Sequence, residues 1–174
     1  MQFNFLLVMV VAAFVPLLLG FVWYHPKVFG TAWLKAGGFD AAKMKEGFNM
    51  PLVFGLTFFM GFLMAFALSG VVIHQMGFFS MINNHWKDPS THQATVDFFN
   101  QTLQTYGGEF RTFKHGALHG AITGIGIALP AVAVCGMFER KSFKHIAINA
   151  GFWIACLIIM GGIICQFADL SSLA

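Results

Sequence analysis

Residues 113–138 read FKHGALHGAITGIGIALPAVAVCGMF, and this run decides the fold class. It is long and apolar enough to cross a bilayer, which takes about 20 residues of helix. Gly116, Gly120, Gly124 and Ala128 recur at every fourth position. On a helix they form one smooth stripe, along which a second backbone can come close. His115 and His119 sit one turn apart beside that stripe. Pro130 removes a backbone donor towards the far end, so the helix is expected to bend there.

The rest of the composition agrees with a membrane setting. Of 174 residues, 57% are hydrophobic and only 10% are charged, against about 25% charged in an ordinary soluble domain. A formal net charge of +3 is too small to suggest nucleic acid as a partner; the lipid bilayer is the expected one. Cys135, Cys156 and Cys165 all fall in apolar runs, with no CxxC or Cys/His zinc spacing. They read as buried thiols rather than as a disulfide framework.

Four spans are expected. The first is Phe3–Tyr24, which lacks the basic start and cleavage site of a secretory signal and reads as a retained helix. Pro16 inside it frustrates the bond to the carbonyl of Ala12. Trp23 and Tyr24 suit the headgroup boundary, and His25-Pro26 ends the helix. The connection that follows carries Lys27, Lys35, Lys43 and Lys45, with Trp33 and Phe39 among them. It reads as an interfacial segment, with a short helix capped by Asp40, running through Lys45 and closed by Gly47.

The run Trp23-Tyr24-His25-Pro26, then Phe29-Gly30, then Trp33, resembles the signature that follows the first span in a membrane-protein family catalogued as domain of unknown function seventeen-sixty-one. The glycine-rich third span is also similar, as are the Phe138-Glu139-Arg140-Lys141 turn and the Asn149-Ala150-Gly151 stretch. The resemblance covers most of the chain except the middle loop. It implies a multi-span helical membrane protein and brings no reaction and no catalytic residue.

Span two is expected at Leu52–Met76, with a second small-residue stripe at Gly61, Ala65 and Ser69. The long polar connection that follows should hold an amphipathic helix near 89–106, since Val96, Phe99, Leu103 and Tyr106 recur at helical spacing. That helix is expected to lie over one mouth of the bundle. Span four is expected at Ile146–Phe167, its stripe formed by Ala147, Gly151 and Ala155, with Asn149 hydrogen-bonding across helices. The expected architecture is an all-α, integral membrane four-helix bundle with an amphipathic helix in the loop between spans two and three. Seven Lys and Arg lie in the first and third connections: Lys27, Lys35, Lys43, Lys45, Arg140, Lys141 and Lys144. The opposite side holds Lys87, Arg111 and Lys114. The positive-inside rule therefore places both termini and the middle loop outside the cytoplasm, in a bacterial cytoplasmic membrane.

Chemistry concentrates on that outer side. His74 ends span two and His115 begins span three, so their depths match; His119 lies one turn, about 5.4 Å, deeper. Paired histidines on one helix face can chelate a metal, and histidines on two helices can hold a haem iron. The competing reading gives these residues only hydrogen bonds at helix ends. Ser69, Thr57 and Cys135 lack a histidine at matching depth, so nucleophilic catalysis is not indicated. Two functions follow. The first is a non-enzymatic accessory or scaffold protein without a cofactor, assembling as a homo-oligomer or within a larger membrane complex. The second is a histidine-ligated haem or transition-metal protein with a redox role.

Overall fold

The computed structural model describes residues 2–40, 43–45, 47 and 49–170. Among them there is no strand, and four helical segments are long and apolar enough to cross a membrane: Phe5–Trp23, Met50–Val72, Phe113–Phe138 and Phe143–Phe167. Each begins on a polar residue whose side chain accepts a first-turn amide. Asn4 accepts from Leu7, Asn49 from Leu52, Thr112 from His115 and Ser142 from His145. Such a cap satisfies a donor that the helix cannot, and contributes typically about 1 kcal/mol. The Ser142 cap explains why the last span starts at Phe143, three residues before the expected Ile146.

Pro16 and Pro130, inside the first and third spans, both leave a mark. The first span divides at Phe14 into α1 (Phe5–Ala13) and α2 (Val15–Trp23), with Pro16 in the first turn of α2. The third divides into α7 (Phe113–Thr123), a π-helical turn at Gly124–Ala128, and α8 (Leu129–Phe138). In that turn the Leu129 amide reaches back to the carbonyl of Gly124. One wide turn before Pro130 absorbs the donor that proline lacks.

Between these spans lie a π-helical turn at Pro26–Gly30, α3 (Thr31–Gly37) and a 3-10 turn at Lys43–Lys45. The short helix expected from Asp40 through Lys45 crosses residues 41 and 42, which lie outside the described residues. Span two, α4 (Met50–Val72), stops four residues before the expected Met76. Ile73 is extended there (φ −110°, ψ 97°), and α5 (His74–Trp86) begins directly after it. The polar loop thus carries two helices, α5 and α6 (His92–Tyr106). The buried Phe99 of α6 meets Phe78, Phe79 and Trp86 of α5 at centroid distances of 5.4–5.8 Å. The inner face of α6 therefore covers its own hairpin partner.

The fourth span, α9 (Phe143–Phe167), is the axis of the bundle. It is the most buried of the four spans, and the third is the least. Phe152, Cys156, Met160 and Ile164 of α9 share one core with Phe5, Met9 and Ala12 of α1 and with Ala65, Leu68 and Val72 of α4. The stripes meet different partners. A Cβ on Gly61 would lie 2.7 Å from the Ala13 carbonyl oxygen, so this stripe faces α1. Gly116 and Gly120 abut the backbone of Gly161 and Leu157, and a Cβ on Gly124 would lie 2.9 Å from the Cα of Ile154. The stripe of span three therefore faces α9, at Ile154, Leu157 and Gly161 rather than at Ala147, Gly151 and Ala155. Ala147 is exposed, and Gly151 lies beneath the indole of Trp23. A parallel bridge between Phe3 and Ala168 joins the start of the first span to the end of the last.

Candidate metal centre

The same end of the bundle carries the histidines. His115 and His119 are four residues apart on α7 and so project from one face. His74 is the first residue of α5, and the break at Ile73 aims it back across α7. One ring nitrogen from each of His74, His115 and His119 can be chosen so that all three lie within 4.8 Å of one another. Ring centroids are 5.0 Å apart for His74–His115 and His74–His119, and 4.5 Å for His115–His119. The Nε2 atoms of His74 and His115 stand 2.9 Å apart. At that distance one nitrogen donates and the other accepts. His74 is exposed and the other two are half-buried.

Local packing holds this arrangement. The break after Val72 frees its carbonyl, and the Cys165 thiol of α9 sits 3.2 Å from it and 3.3 Å from the carbonyl of Phe110. Gln75, next to His74, donates to the carbonyls of Gly107 and Glu109 at 3.0 and 3.1 Å. Those bonds tie the end of the loop to the start of α5. Phe110 takes a left-handed backbone (φ 61°) and lays its ring against His115, 5.0 Å between centroids, and edge-on to His74 at 5.9 Å. Beside the triad is a cavity of about 240 Å³ that reaches His74, Phe78, Tyr106, Glu109 and Phe110. Arg111 donates to the carbonyl of Ala168. Burial pulls its guanidinium below the ordinary arginine range, opposed by Cys165 and Asp169 nearby.

Three imidazoles without a carboxylate or thiolate suit a borderline cation such as zinc, copper, nickel or iron. Metal–nitrogen bonds of about 2.0–2.1 Å in a tetrahedron set ligand nitrogens about 3.4 Å apart. The His74–His115 pair would open by roughly half an ångström and the widest separation, up to 4.8 Å, would close by about 1.4 Å, both through rotations about the side-chain torsions. A haem sandwiched between the two is a poor fit, because no macrocycle passes between nitrogens at 2.9 Å.

The interfacial motif builds a second cluster at the opposite end. Trp23 Nε1 donates to the carbonyl of Ile148 at 3.1 Å. The Tyr24 hydroxyl and the Trp33 indole N–H both donate to Asn149 Oδ1, at 3.0 and 2.8 Å. His25 Nδ1 accepts the amide of Lys27 at 3.2 Å and so caps the π-helical turn that begins at Pro26. Gly30 packs on the Tyr24 backbone, where a Cβ would lie 2.9 Å from the carbonyl carbon, and Phe29 rests on Trp23 at 4.6 Å. Trp33 stacks on the buried His145, whose Nδ1 donates to the Trp33 carbonyl at 3.3 Å. The seven-residue signature is thus the device that docks the first connection onto span four.

A family model described as "Protein of unknown function (DUF1761)" matches residues 7–165. The chain belongs to the DUF1761 family. No match was found among the curated proteins or among the solved structures. In this DUF1761 chain the matched region contains His74, His115 and His119 together with the whole Asn149 cluster. Asn149 was legible as a residue that hydrogen-bonds across helices, whereas His145, just ahead of the expected span four, was not singled out. Their link to the first connection follows from the three-dimensional contacts.

Proposed function

We propose that this protein is a multi-pass membrane protein that binds one transition-metal ion through His74, His115 and His119. The observation that carries the reading is the convergence of three ligand nitrogens from two helices within 4.8 Å. Polar side chains within a membrane protein are costly and tend to be functional. Three protein ligands leave a position open, the pattern of sites that exchange a ligand rather than closed structural sites. The positive-inside count supports a site facing away from the cytoplasm, with both termini on that side of a bacterial cytoplasmic membrane. An accessory or scaffold role in a homo-oligomer or larger complex is the reading that remains if no metal binds.

The test is elemental analysis of protein purified without chelators, followed by zinc titration of the wild type, His115→Ala and His119→Ala. One equivalent of tightly held metal, lost in both variants while each stays folded, is expected. A wild type that neither carries metal nor takes up zinc would refute the proposal.

A further inference from the structure

We propose a second, independent site: a cleft between α8 and α9, at the end away from the histidine triad, that binds a phospholipid with a primary ammonium headgroup, such as phosphatidylethanolamine. The cleft has a volume of about 320 Å³, and Glu139, Lys141, His145, Asn149, Val132 and Trp153 are among its lining residues. His145, Asn149 and Trp153 follow one another at intervals of four on α9, so they descend one face over about 12 Å. Charged groups near the end of the helices, with Val132 and Trp153 further along them, suit an amphiphile lying along the bundle with its head at the boundary.

The hydrogen bonds already made determine what the polar groups can still offer. Asn149 Oδ1 accepts from Tyr24 and Trp33, so its free capacity is the amide N–H pair, a donor. His145 Nδ1 donates to the Trp33 carbonyl. His145 is only 5% exposed, its ring packed against Trp33 and Phe39, so it forms a wall of the cleft. Lys141 donates to the carbonyl of Gly37 and lies over the Phe39 ring, with further N–H groups to spare. The cleft therefore pairs donors (Lys141, Asn149) with a carboxylate acceptor (Glu139). A phosphate takes the former and an N–H-bearing ammonium the latter. A quaternary ammonium cannot donate, and an uncharged glycerol head leaves Glu139 facing an anion without a partner.

Native mass spectrometry of the detergent-solubilised wild type, with equal amounts of phosphatidylethanolamine, phosphatidylcholine and phosphatidylglycerol of matched chains, tests this directly. Phosphatidylethanolamine should be retained about tenfold over the other two, the scale of one charge-assisted hydrogen bond. Glu139→Gln should bring it down to the phosphatidylcholine level, and Lys141→Gln should weaken all three lipids. Equal retention of phosphatidylethanolamine and phosphatidylcholine by the wild type would overturn the proposal. So would a preference for phosphatidylglycerol, which a merely cationic surface gives, or a full phosphatidylethanolamine preference in Glu139→Gln.

Discussion

A single methyl group on Gly120 should separate the two most intimately packed helices of the bundle. The added Cβ would meet the backbone of Leu157, with its carbonyl carbon 2.6 Å away, and the Cα of Ile158 at 2.9 Å. Carbon atoms settle at about 3.5–4.0 Å, so α7 and α9 must part locally by close to 1 Å. No rotamer relieves this, because the obstructing atoms are backbone. A gap of that size forfeits roughly a quarter to a half of each contact along the seam. In lipid such contacts are a main source of helix association. Gly120→Ala should therefore cost about 1–3 kcal/mol, the range for overpacking. At about 2–4 °C per kcal/mol for a chain of this size, the midpoint of thermal unfolding in detergent should drop clearly. Gly126 is the control, since a Cβ there meets nothing within 4 Å, and Gly126→Ala should leave the midpoint unchanged or slightly raised. Equal stability of Gly120→Ala and the parent, or an equal loss in Gly126→Ala, would refute the argument that the stripe marks the α7–α9 contact.

Three further outcomes follow from the same structure. Asn149→Ala leaves the Tyr24 hydroxyl and the Trp33 indole without their common acceptor, so stability should fall by about 1–3 kcal/mol and the indole emission should change; a variant with parental stability and emission would remove Asn149 as the anchor. In a Cys135→Ala background, Ser90→Cys should react with a membrane-impermeant thiol reagent in intact cells while Ser142→Cys is protected; the reverse pattern would invert the topology. Zinc affinity should weaken as the pH falls from 7.5 to 5.5, because protons compete with the metal for the imidazole nitrogens; affinity independent of pH over that interval would argue against histidine ligation.

The four spans were legible because membrane crossing demands long apolar runs, and this chain keeps most of its charge in the connections between them. Pro16 and Pro130 were legible as irregularities because proline lacks a donor wherever it stands. The wide turn at Gly124–Ala128, one particular repair of that defect, was not. Nothing local announces the break at Ile73, where there is neither Gly nor Pro. A thiol from α9 and the buried packing of Ile73 support it, and both lie far away in sequence. A stripe of small residues says that a backbone comes near, but not which one. Gly61 turned out to face Ala13, and Gly120 to face Leu157. The three histidines were legible as a group by depth alone. Their convergence rests on the start of α5, so a continuous helix through Met76 would have placed His74 differently.

X-ray absorption at the zinc edge, on protein loaded with one equivalent of zinc, measures the proposed site itself. Three imidazole nitrogens at about 2.0–2.1 Å with one further light ligand are expected, and one imidazole shell should disappear in His119→Ala. A zinc ion surrounded by oxygen alone, or one whose spectrum is the same in His119→Ala, would contradict the account.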